Sequence, residues 1–118
     1  MTSSQLSNYL LSNRKRLGLS QDEVAFLLGA QSGSKVSRYE KFAREPSLAT
    51  ALAFEAIFQK PASELFAGLY QKVDGEVAGR AKALAHRTVY QKPTRENAHK
   101  RQTLASIAAQ SEKTSDLS

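Results

Sequence analysis

Apolar residues recur at helical spacing through the first part of the chain. Leu6, Leu10 and Leu17, with Tyr9 and Leu11 beside them, make one such run, and Gly18 stops it. Ser20-Gln21-Asp22-Glu23 then reads as a capping box, with its acids at the positive start of a helix. Val24, Leu27 and Leu28 supply the stripe of that helix, and Gly29 ends it. So short a helix depends on tertiary packing. A polar stretch, Gln31-Ser32-Gly33-Ser34, leads into Lys35–Glu40, where Val36 and Tyr39 share a face. Pro46 discourages further helix. Ser47 is placed to cap a fourth helix carrying Leu48, Ala51, Leu52, Ile57 and Phe58. Pro61 suits the first turn of a fifth, with Leu65, Phe66 and Leu69 facing inward. Tyr9, Tyr39, Phe54 and Phe58 sit in these apolar stripes and are expected in the core. No strand pattern competes, so the fold class is all-α: five helices, then a helical C-terminal extension.

Beyond Gln71 the pattern thins. All five Phe lie before that point, whereas residues 71–118 hold three Leu, one Ile and three Val among many Ala, Lys and Arg. One helix is expected over Glu76–Lys92 with Val77, Ala81, Leu84 and Ala85 on a stripe. Pro93 breaks it, and Thr94 caps a last helix with Ala98, Leu104, Ile107 and Ala108 before a frayed Ser111–Ser118. Two segments follow: residues 1–70 as the folded domain and 71–118 as a basic extension.

Charge narrows the function. The 118 residues carry 17 Lys+Arg against 11 Asp+Glu, a net +6, which favours polyanionic partners. Residues 1–70 account for +2 and residues 71–118 for +4. With no cysteine there are no disulfides, thiolate metal sites or thiol nucleophiles. His86 and His99 lack a second ligand at metal spacing, so no metal or cofactor is expected. Without a P-loop, a Gly-x-Gly-x-x-Gly or paired His, catalysis is not expected either. No apolar run reaches the ~18 residues of a membrane span, and the polar Met1–Asn8 is unlike a signal peptide. A cytoplasmic, nucleoid-associated location is the expectation.

Two short helices joined through a glycine turn are the sequence form of helix–turn–helix. Position by position the chain resembles the Cro/repressor (Xre-like) helix–turn–helix family over residues 5–69. The match rests on Arg14-x-x-x-Gly18-Leu19-Ser20-Gln21-x-x-Val24-Ala25, then Leu28-Gly29, Val36-Ser37-Arg38-Tyr39-Glu40, Arg44-Glu45-Pro46-Ser47-Leu48, Leu52 and Glu64-Leu65. The resemblance implies a five-helix, lambda-repressor-like domain whose second and third helices bind DNA. It also implies an ion pair between Arg14 and Glu40. In two places the chain departs from the family. Gly29 to Val36 spans seven positions where six are usual, and Pro61 stands where a Ser-type cap is usual.

A recognition helix puts its N-terminal part against base edges in the major groove. The readers are then Gly33, Ser34, Lys35, Ser37 and Arg38, with Arg38 suited to bidentate contact with guanine and Gly33 contributing close approach. Ser20 and Gln21, at a helix start with free N–H groups, suit phosphate, as do Ser32, Lys41 and Arg44. Lys15 and Arg16 point apart from Arg14 and read as solvated. The partners expected are double-stranded DNA and a second copy of the chain. The extension serves dimerisation, nonspecific phosphate contact or a protein partner. The function expected is a sequence-specific repressor on an inverted repeat. The alternatives are an autoregulating antitoxin and an adaptor that has lost DNA binding.

Overall fold

A computed structural model describes residues 8–117, with side chains described from Asn8 to Gln110. Leu6 therefore lies outside the described residues. The helices are α1 (Leu10–Arg16), α2 (Gln21–Leu28), α3 (Gly33–Glu40), α4 (Leu48–Phe58), α5 (Ala62–Leu65), α6 (Ala67–Thr88) and α7 (Arg95–Leu117). There is no strand among the described residues. The chain divides into two units, Met1–Tyr70 and Gln71–Ser118.

Local chemistry sets the ends of the short helices. At the start of α2 the Ser20 hydroxyl accepts from the Glu23 N–H at 3.0 Å, and Glu23 Oε1 accepts from the Ser20 N–H at 2.8 Å. Both halves of the capping box are made. α1 and α2 each finish on a left-handed glycine: Gly18 at φ 74° and Gly29 at φ 78°. In each, two reversed backbone bonds close the last turn. α3 ends on the same pair of bonds, but Phe42 holds the left-handed position at φ 55°. A side chain there costs about 1 kcal/mol of backbone strain, and Phe42 offsets it by packing on the core.

α5 starts without a capping hydroxyl because Pro61 occupies the N-cap position, not the first helical turn. Glu55 of α4 replaces it: Oε1 accepts from the Ala62 N–H at 2.8 Å. The unusual proline is thus answered by a carboxylate six residues earlier.

Phe54 is the centre of the N-terminal core. Tyr39 meets it edge-on at 5.7 Å, Phe66 at 5.9 Å, and Phe58 stacks beside it at 5.8 Å. Leu10, Val24, Ala25, Val36 and Leu65 complete the buried set, with Ala51, Ile57 and Leu69 packed against it. The Tyr9 N–H donates to the Leu65 carbonyl at 2.8 Å, joining the entry of α1 to α5. Some expected core positions face out. Tyr9 is 50% exposed and Leu48 76%, and Leu27 and Leu52 are also exposed. The reason is register: α4 turns Ala51, Phe54, Ile57 and Phe58 inward, and one helix face has room for no more.

The second unit differs in extent from its sequence reading. α6 begins at Ala67 rather than near Glu76 and ends at Thr88 rather than Lys92. α7 starts after Thr94 as expected, with the Thr94 hydroxyl accepting from the Asn97 N–H at 3.1 Å. It continues to Leu117, where fraying was expected from Ser111. Ala78, Ala81, Thr88 and Leu104 are buried. No helix of the described residues is long and apolar enough to cross a membrane.

Candidate nucleic-acid interface

Helix α3 has two unlike faces. Gly33, Val36 and Tyr39 are buried, and the Glu40 side chain is only 5% exposed. Ser34, Arg38 and Lys41 are exposed. Their spacing of i, i+4 and i+7 sets them on one outward stripe. The Arg38 guanidinium has no hydrogen-bond partner or counterion among the described residues. Lys35 and Ser37 are half-buried flanks of that stripe.

The buried face is locked by charge as well as packing. Arg14 Nε donates to Glu40 Oε2 at 2.6 Å, and Nη2 donates to Glu40 Oε1 at 3.3 Å. The remaining Arg14 nitrogen, Nη1, donates to the Leu19 carbonyl at 3.0 Å. The ion pair expected from the family resemblance is therefore present and forked. Gln21 Nε2 adds a third bond to Glu40 Oε1, at 3.0 Å. One carboxylate on α3 thus gathers α1 and α2 around it. Fork-shaped pairing of this kind fixes orientation as well as distance.

The start of α3 is capped from the neighbouring helix. Ser32 stands at the N-cap position but its hydroxyl makes no cap bond; it pairs instead with the Ser34 hydroxyl at 2.8 Å. Asp22 of α2 supplies the cap, its Oδ1 accepting from the Gly33 N–H at 2.9 Å. Gly33 is buried against that helix. A Cβ there would lie 2.6 Å from Asp22 Oδ1, 2.9 Å from Gln21 Cβ and 3.0 Å from the Asp22 nitrogen. The close approach that Gly33 permits is to α2 and not outward, so it leaves the set of readers. Asp22 has no local sequence signal for this role, because its partner lies eleven residues away.

The extra residue between Gly29 and Val36 is taken up by the turn. Gly29 to Ser32 connect the helices, Ala30 packs on the core, and Gln31 and Ser32 are exposed. Val36, Tyr39 and Glu40 keep their inward register. At the start of α2 the Ser20 N–H is taken by Glu23, leaving the Gln21 and Asp22 N–H groups without intrahelical acceptors. The Gln21 amide is committed to Glu40. An anion at this helix start would therefore meet backbone groups, not the Gln21 side chain. Lys41 and Arg44 are exposed just beyond α3, and Lys15 and Arg16 are exposed on α1.

A short helix locked on one side, outward and basic on the other, and delivered by a second helix across a glycine turn defines a DNA-binding helix–turn–helix. Residues 10–65 match the helix–turn–helix family model HTH_3, and this domain belongs to that Cro/repressor, Xre-like family. A domain of this family marks a DNA-binding regulator of transcription. A search of curated proteins and a search of solved structures each gave no match.

Proposed function

We propose that the chain is a sequence-specific repressor that binds an inverted repeat as a dimer, by occupancy and without catalysis. The outward stripe carries this reading. Ser34 and Arg38, flanked by Lys35 and Ser37, are the base readers; Lys41, Arg44, Ser20, Ser32 and the backbone N–H of Gln21 contact phosphate. An unpaired guanidinium on a locked helix is preorganised for guanine, since no internal bond must break first. Dimerisation is supported by α6, where Val73, Val77 and Leu84 lie at helical spacing and are 42–45% exposed. Two half-sites one DNA turn apart, about 34 Å, ask for a twofold partner.

Selection of bound fragments from random duplex DNA, read with light-scattering mass, tests the whole reading. A palindrome bound by a dimer is the expected result. Arg38→Ala is expected to lose about 1–3 kcal/mol at one base pair and relax preference there. Lys41→Ala is expected to weaken all sequences alike. Failure of the wild type to select any duplex at low salt would sink the proposal.

A further inference from the structure

The surplus charge of the second unit is not spread along it. Between Arg87 and Arg101 lie five basic residues and one acid, Glu96. That stretch is net +4, and so is the whole of residues 71–118. It is the turn from α6 into α7, with its flanks. Val89 and Tyr90 stand at its apex, 62% and 87% exposed.

This turn is built, not loose. Arg101 Nη2 donates to the Thr88 carbonyl at 2.9 Å, and the Gln91 N–H donates to the same carbonyl at 3.0 Å. The Thr94 N–H and the Asn97 side chain both donate to the Lys92 carbonyl. Thr88 is fully buried, its hydroxyl donating to the Ala85 carbonyl. The backbone that presents the cations is therefore held in one shape. Arg101 is an anchor of that shape. Arg87, Lys92 and Arg95 are exposed, and their charged side-chain groups have no hydrogen-bond partner or counterion among the described residues. The first turn of α7 adds free N–H groups of the same sign.

We infer that the α6–α7 turn is a second DNA-contacting element, which grips a phosphate backbone. The inference rests on the DNA-binding reading above. Lys92 in the turn and Arg87 and Arg95 at the helix ends beside it are three unpaired cations, complementary in charge to phosphate. The Tyr90 hydroxyl and the α7 N–H groups are the other usual donors to phosphate. A membrane surface fits less well, because a broad apolar helix face is what embeds in lipid, and the apolar part here is two residues wide. Since α3 already holds the chain on DNA, phosphate is also the anion at highest local concentration.

The test uses the full chain with Arg87→Gln, Lys92→Gln and Arg95→Gln together, on its selected duplex and on an unrelated duplex. Each phosphate contact contributes about 0.9 to the slope of log affinity against log salt. The triple variant is expected to lose about 2–3 of that slope. Its binding to both duplexes should fall about tenfold or more at low salt, with base preference and light-scattering mass unchanged. Arg87→Lys with Arg95→Lys, which keeps the charge, is expected to keep the slope. An unchanged slope in the triple variant, while the wild type still selects its duplex, overturns the inference and leaves the readout intact. A fall in mass, or a loss of binding to anionic lipid vesicles in place of DNA, overturns it as well. If the wild type binds no duplex at all, the repressor reading itself has failed.

Discussion

Glu40 shows how much one side chain decides. Its carboxylate takes bonds from Arg14 and Gln21 while being 5% exposed, so its loss strands a nearly buried guanidinium. Glu40→Ala is expected to cost about 3 kcal/mol of unfolding free energy in chemical denaturation. Pairing it with Arg14→Ala should cost less than the two singly, because no stranded charge remains. Strict additivity would show that the pair is not coupled. Gly33 gives a second case. Glycine to alanine inside a helix usually stabilises, by up to about 1 kcal/mol. Here the new methyl would meet the Asp22 backbone and the Gln21 Cβ, neither of which yields easily. Gly33→Ala is therefore expected to destabilise by about 1–3 kcal/mol and separate α2 from α3. A gain in melting temperature would refute that packing. The ion pair was legible because both partners stand at family positions. The Asp22 cap and the buried Gly33 were not, since each exists only through a neighbour distant in sequence.

At the scale of the element, caps were more legible than faces. The Ser20–Glu23 box, the Ser47 cap and the Thr94 cap all form as their spacing predicts. Each is closed within three residues, so local sequence is enough. Faces depend on what lies opposite, and there Leu48, Leu52 and Tyr9 turned outward. The start of α5 mixes both kinds. Its proline was visible, but the answering Glu55 was not, because the bond crosses from one helix to the next. Glu55→Ala is expected to destabilise by about 1 kcal/mol, the worth of a typical cap. Glu55→Gln keeps an accepting oxygen and should stay near wild type. Equal losses for both variants would mean that charge, not the cap bond, is what Glu55 contributes.

Over the whole molecule, a helix–turn–helix domain is followed by a long helical extension. If α6 carries the dimer contact, Val77→Glu should shift light-scattering mass from dimer to monomer while helical content by circular dichroism holds. Binding to an inverted repeat should then lose its cooperativity. A persistent dimer would move the contact elsewhere in the chain. The expected helix over Glu76–Lys92 is displaced to Ala67–Thr88. Lys, Ala and Gly make weak boundaries there, so periodicity had no sharp edge to read.

Sequence by itself determined the helical class, the capped starts, the glycine stops and the charges available to a polyanion. Those are consequences of bonds that close within a turn and of side-chain chemistry that does not depend on neighbours. Only the tertiary structure decided that Gly33 of α3 faces inward, which helix caps α3, and that the extension's charge gathers about a hydrogen-bonded turn. Burial and long-range hydrogen bonds are properties of pairs brought together by folding, and no spacing along the chain contains them.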